Sequence, residues 1–150
     1  MLPSRPEYER FIYTIVDTYP AIEKSTVRFF TTSATAGLVK GTIWFSNGFE
    51  LRVVEVIDFA ASEILDYSYA VYKSNLKIIW YDPQPHPEDT VLAETFPHHK
   101  HELPNIRQNR KPAPGISFNN PNLPLLIAEI ATLPDLGDIC YFRNRTKYAK

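Results

Sequence analysis

Between Arg5 and Tyr19 apolar side chains recur at Tyr8, Phe11, Ile12, Ile15, Val16 and Tyr19, while Glu9, Arg10 and Asp17 fall off that stripe. The i, i+3, i+4, i+7 spacing predicts an amphipathic helix within residues 1–20, with Ser4 and Glu7 as a capping box and Pro20 as its stop. From Ile22 the composition shifts to Val, Ile, Thr, Phe and Tyr in short runs, which predicts strands over 22–33, 38–46, 49–58, 64–72 and 76–82. The turns between them are short. Asn47-Gly48 is the strongest of these signals, because both positions accept a positive φ. Consecutive strands on short turns pair antiparallel, so residues 22–82 read as a five-stranded meander. Residues 83–120 read as His-rich and Pro-rich loops. Asn122, Pro124 and the stripe Leu126, Ile127, Ile130, Leu133 predict a second helix over 122–133, followed by a basic tail over 134–150. The expected fold class is α+β, with the N-terminal and C-terminal helices packed on one face of the five-stranded antiparallel sheet.

Within 49–58, Leu51, Val53, Glu55 and Ile57 share one face and Arg52, Val54, Val56 and Asp58 the other, so each face carries an ionisable group among apolar neighbours. The run LKIIWYD is apolar almost throughout and delivers Tyr81 and Asp82 to a strand end. All four histidines, His86, His98, His99 and His101, then fall within positions 86–101, beside Lys100 and among Pro83, Pro85, Pro87 and Pro97. Proline stiffens a loop, so this segment reads as the site that the scaffold presents.

Composition narrows the class. One domain suits 150 residues, and 44% hydrophobic content with a formal net charge of -1 gives a globular chain without an overall pull toward polyanions. The single cysteine, Cys140, excludes a disulfide framework and a Cys-rich zinc site. No apolar run is long enough to cross a membrane and no signal peptide is visible, so a soluble cytoplasmic protein is expected, with no membrane partner. An uncovered edge strand would allow a homodimer.

A cluster of His with Lys or Arg can supply a base for a 2′-hydroxyl, an acid for a departing 5′-oxygen and a cation for the phosphate, without metal or other cofactor. The candidate acid and base come from His86, His98, His99 and His101, with Lys100 or Arg52 as charge stabiliser and Glu55 or Tyr81 as orienter. In an extended PHHKH, His99 and His101 point to one side and His98 and Lys100 to the other. The competing chemistry is zinc held by His86, His98, His101 and Asp82, a set that matches no standard ligand spacing. Arg107, Arg110 and Lys111 form a candidate nucleic-acid contact, and Arg143, Arg145, Lys147 and Lys150 a candidate basic arm.

Glu55 in LRVVEVIDF, Tyr67-Ser68-Tyr69, Tyr81-Asp82, His86 and above all FPHHKH at 96–101 resemble the TumE family of toxin-antitoxin toxins. PAPGISF and NLPLLIAEI resemble the tail of a cyanobacterial branch, and the likeness runs from about Gly41 to Leu133. The chain departs from the family pattern at Trp80, where a basic residue is usual, and at Pro83, where Asn is usual. The resemblance implies a toxin neutralised by an antitoxin protein, with RNA or translation as target. Together with the histidine chemistry it points to a metal-independent ribonuclease, or else to a non-catalytic, domesticated relative that binds a protein partner or nucleic acid.

Overall fold

The computed structural model describes residues 1–136; Cys140 and the basic arm Arg143, Arg145, Lys147 and Lys150 lie outside them. Helix α1 (Arg5–Tyr13) and the single turn α2 (Ile15–Thr18) precede eight strands. These are β1 (Ile22–Ser25), β2 (Arg28–Thr31), β3 (Ala36–Phe45), β4 (Phe49–Asp58), β5 (Glu63–Lys73), β6 (Leu76–Asp82), β7 (His99–Glu102) and β8 (Arg110–Pro112). A 3-10 helix over Thr90–Thr95 lies between β6 and β7, and α3 (Leu123–Ala131) follows β8. Ser4 opens α1 by donating its N–H and its hydroxyl to the Glu7 carboxylate, at 2.9 and 2.6 Å.

The sheet is antiparallel in the order β1-β3-β4-β5-β6-β7-β8, with β2 also on β3. Eight strands replace the expected five, for two reasons. The run 22–33 is broken at Thr26-Val27 because the chain there crosses close over β3 at Gly41: a Cβ at that position would lie 2.5 Å from the Thr26 carbonyl oxygen and the Val27 Cα. Only glycine admits that approach. In addition, the segment expected to be loop carries β7 and β8, so His99, Lys100 and His101 of the histidine motif lie in a sheet strand, while Phe96, Pro97 and His98 precede it.

Alternation along β4 buries Phe49, Leu51, Val53, Glu55 and Ile57 on one face. They join Ile64, Tyr67, Tyr69 and Val71 of β5, and against them pack Tyr8 and Ile12 of α1 and Leu123, Leu126, Ile127 and Ile130 of α3. Both helices therefore cover one face, as expected, and the core lies beneath them. The opposite face of β6 and β7 carries the polar chemistry.

Candidate functional site

Register assembles the cluster. In the β6–β7 pair Asp82 lies opposite His99 and Trp80 opposite His101, so these four side chains share the face away from the helices. His101 Nε2 is 3.1 Å from Asp82 Oδ2, His99 Nε2 is 3.4 Å from Asp82 Oδ1, and the two Nε2 atoms are 3.0 Å apart. All three residues are buried, His99 fully, His101 at 4% and Asp82 at 7% exposure. The Gln84 N–H donates to Asp82 Oδ1 at 2.9 Å and holds the carboxylate in place.

Hydrogen-bond partners assign the tautomers. His99 Nδ1 lies 3.1 Å from the Pro97 carbonyl oxygen, which can only accept, so the ring proton sits on Nδ1 and a neutral His99 keeps its lone pair at Nε2. That lone pair meets a carboxylate and a second imidazole. His101 has one proton for two acceptors, and its Nδ1 is buried without a partner. Burial lowers the pKa of His101, opposed by the Asp82 carboxylate and helped by the neighbouring His99. Its ring is held by stacking on Trp80, at 4.8 Å between centroids and 22° between planes, and the Trp80 indole N–H donates to Ser68 Oγ at 3.0 Å.

His101 and Asp82 form part of the wall of a cleft of about 500 Å³, together with Trp80, Gln84, His86 and Ile106 and three cations, Lys77, Arg107 and Arg110. Among the described residues none of these three cations has a carboxylate within 4 Å, and Arg110 Nε is buried without an acceptor. Lys77 lies over the Trp80 ring at 4.8 Å. A second hollow of about 460 Å³ shares Trp80, Asp82 and Gln84 and continues over Asp66, Ser68 and Phe118. His86 sits edge-on to His99 at 5.0 Å, with its Nδ1 3.3 Å from Glu88.

The other expected site residues are elsewhere. His98 faces the helix side, where its Nδ1 is 2.7 Å from the Tyr67 hydroxyl and its ring packs on Phe118 at 4.5 Å. Burial first, and then the neighbouring His99, lowers its pKa. It therefore cannot join the zinc set proposed from sequence, and the ligand-like group that does form is Asp82, His99 and His101. Lys100 and Tyr81 also face the helices: the Tyr81 hydroxyl donates to Glu129 at 2.8 Å, and Lys100 Nζ is 3.1 Å from Glu102 and 3.7 Å from Glu129. Lys111 is on that side too, paired with Glu102 at 2.6 Å. Glu55 is wholly buried between Tyr8 and Tyr69, on the face away from the cleft. Arg52 lies on the cleft's face of the sheet but two strands away, over Tyr72 at 3.7 Å and 3.8 Å from Glu50.

Two residues of the cleft escape a sequence reading. Trp80 reads as a departure from a family pattern, yet its ring forms the platform under His101. Lys77 is two and four residues from Ile79 and Tyr81, so strict alternation turns it toward the core; a bulge at Ile78 reverses it, pairing Lys77 with Tyr72.

An antiparallel sheet with its helices on one face, and on the other a buried His-His-Asp cluster bordering a cleft lined by three cations, describes a small α+β protein. The family model described as toxin TumE matches residues 12–133, and the chain belongs to that family. No curated protein and no solved structure gives a significant match. No described helix is long and apolar enough to cross a membrane.

Proposed function

We propose that this chain is the toxin of a toxin-antitoxin pair and that it cleaves single-stranded RNA in the cleft over His101. The observation that carries this reading is the placement of three cations, Lys77, Arg107 and Arg110, with no carboxylate partner among the described residues, around a His–Asp pair. Unpaired cations in a concave wall favour a phosphodiester chain, and Arg110 has its Nε still to satisfy.

Side chains alone suffice for the chemistry. Asp82, held by the His101 Nε2–H and the Gln84 N–H, takes the proton of a 2′-hydroxyl, and the resulting oxyanion attacks the adjacent phosphorus. The P–O5′ bond breaks, the 5′-oxygen takes a proton from His86, and a 2′,3′-cyclic phosphate remains. His99, sealed from solvent, touches no substrate; through its contact with His101 and Asp82 it is a positioning residue. Lys77 and the two arginines hold the phosphate and its developing charge. The antitoxin would be a protein that closes this cleft.

The test is growth of a bacterial host under induced expression, followed by incubation of the purified protein with single-stranded RNA. Growth arrest and cyclic-phosphate products from the wild type, both lost in His101→Ala, are expected. A wild-type chain that binds RNA in the cleft and leaves it intact would instead favour the non-catalytic binding reading.

A further inference from the structure

We propose that Asp82, His99 and His101 form a binding site for one divalent transition-metal ion, with Zn²⁺ as the best match. The inference rests on ligand geometry and is independent of whether the chain cuts RNA.

The two Nε2 atoms are 3.0 Å apart, and each has a different oxygen of the Asp82 carboxylate beside it, Oδ2 at 3.1 Å from His101 and Oδ1 at 3.4 Å from His99. Zinc binds imidazole nitrogen and carboxylate oxygen at ~2.0–2.1 Å, and a tetrahedron of that radius has edges of about 3.3 Å. The two nitrogens therefore already stand close to one edge of a coordination sphere, and the carboxylate beside them can supply the third ligand.

The protonation pattern agrees. The Pro97 carbonyl keeps the His99 proton on Nδ1 and frees Nε2, an arrangement found around metal-bound imidazoles, and the Gln84 N–H orients the carboxylate from behind. Neutral His99, neutral His101 and ionised Asp82 bring three acceptors to one point with a single proton between them. A cation at that point relieves the deficit, and a metal does so without leaving two Nε2 atoms in opposition. The one unmatched atom, His101 Nδ1, is without a partner whether or not it carries the proton, so it does not distinguish the two states.

Two imidazoles and one carboxylate select a borderline transition ion over Mg²⁺ or Ca²⁺, which prefer oxygen. Three protein ligands also leave a corner open, and because Asp82 and His101 line the cleft, that corner faces it. In the reading above, the Asp82 carboxylate is the base. The same carboxylate would be spent on the metal, so loading the site should suppress side-chain cleavage of RNA.

The experiment uses the full chain, stripped with a chelator and then titrated with Zn²⁺ by calorimetry and with Co²⁺ by visible absorption, with no RNA present. The wild type should bind one equivalent of Zn²⁺ and give a Co²⁺ spectrum of low coordination number. Asp82→Asn and His101→Gln, confirmed folded by circular dichroism, should each bind at least tenfold more weakly. His98→Gln, changed on the opposite face, should bind as the wild type does.

Wild-type protein that takes up no stoichiometric metal, or Asp82→Asn and His101→Gln variants that bind as tightly as the wild type, would overturn the site. RNA cleavage that depends on the metal would leave the site standing and overturn the metal-free route of the proposed function instead. A protein that loads metal and cuts no RNA in either state would remove only the ribonuclease reading.

Discussion

Two buried polar clusters occupy opposite faces of the sheet, one around Glu55 and one around Asp82, and they differ in how their donors and acceptors match. The Tyr8 hydroxyl donates to Glu55 Oε2 and the Tyr69 hydroxyl to Oε1 at 2.7 Å. Asn122 then donates to the Tyr69 oxygen at 3.0 Å and to the Ser117 carbonyl, while accepting from the Ser117 N–H. Every group has a partner. The network ties α1, β4, β5 and the start of α3 into one core, which is structural work. The Asp82 cluster instead has too few protons for its acceptors, and among the described residues His101 Nδ1 has no partner and the cations of the adjoining cleft have no carboxylate. A matched buried network indicates architecture, and a mismatched one beside a cleft indicates a site that awaits something.

If that contrast holds, Glu55→Ala should produce the largest change in stability. It leaves two buried tyrosine hydroxyls without an acceptor and opens a cavity, at a cost of ~3–5 kcal/mol measured by urea unfolding. A cost below about 1 kcal/mol would show that the Glu55 network is dispensable and dissolve the contrast.

His101→Ala should do the reverse. RNA cleavage by the purified chain is expected to fall by about 100-fold or more, with a smaller loss of stability than Glu55→Ala. Unchanged cleavage would remove His101 from the chemistry.

A smaller effect is expected at the cleft wall. Arg110→Gln should weaken RNA binding by about tenfold at low salt and flatten the salt dependence by about one phosphate contact, whereas Lys111→Gln, whose lysine is paired with Glu102 on the other face, should change neither. Equal losses for the two variants in a filter-binding titration would contradict the placement of the cleft.

The smallest effect is a pH slope. Burial raises the Glu55 pKa above 4.5, and the hydrogen bonds from Tyr8 and Tyr69 offset this only in part. The folded chain therefore holds this proton more tightly than the unfolded chain. That contribution is fully present below about pH 4.5 and is lost as pH rises through the higher folded value. The unfolding free energy of the wild type relative to Glu55→Gln should thus decline from about pH 4 toward neutrality. A relative stability that grows over that range would mean that Glu55 is held as a favourable carboxylate.

Much of the scaffold was legible in the chain. The limits of β4 follow from alternation and the Asn47-Gly48 turn, those of β6 from its apolar run, and both helices from their stripes, α1 also from its capping box, whereas Asn122 starts α3 without capping it by its side chain. The division of His99 and His101 from His98 and Lys100 also follows from the period of a strand. The partner of His99 does not. Asp82 meets it through a pairing register set beyond a long excursion, which no local pattern encodes. Strands β7 and β8 are short and polar, and they are recruited by an existing sheet edge rather than by their own propensity. Glu55 carries a signal that points two ways: a carboxylate in an apolar strand reads equally as a catalytic group and as a core anchor, and only Tyr8 and Tyr69 decide between them.

The position of β7 in the order of the chain has a consequence for when the Asp82 cluster comes into being. Asp82 ends β6, whereas its imidazoles arrive only after the segment from Pro83 to His98 has been made and β7 has docked. A nascent or truncated chain that stops before His101 carries the complete β3–β6 meander and lacks the cluster. Translation and sheet completion together therefore act as a delay before the cluster exists.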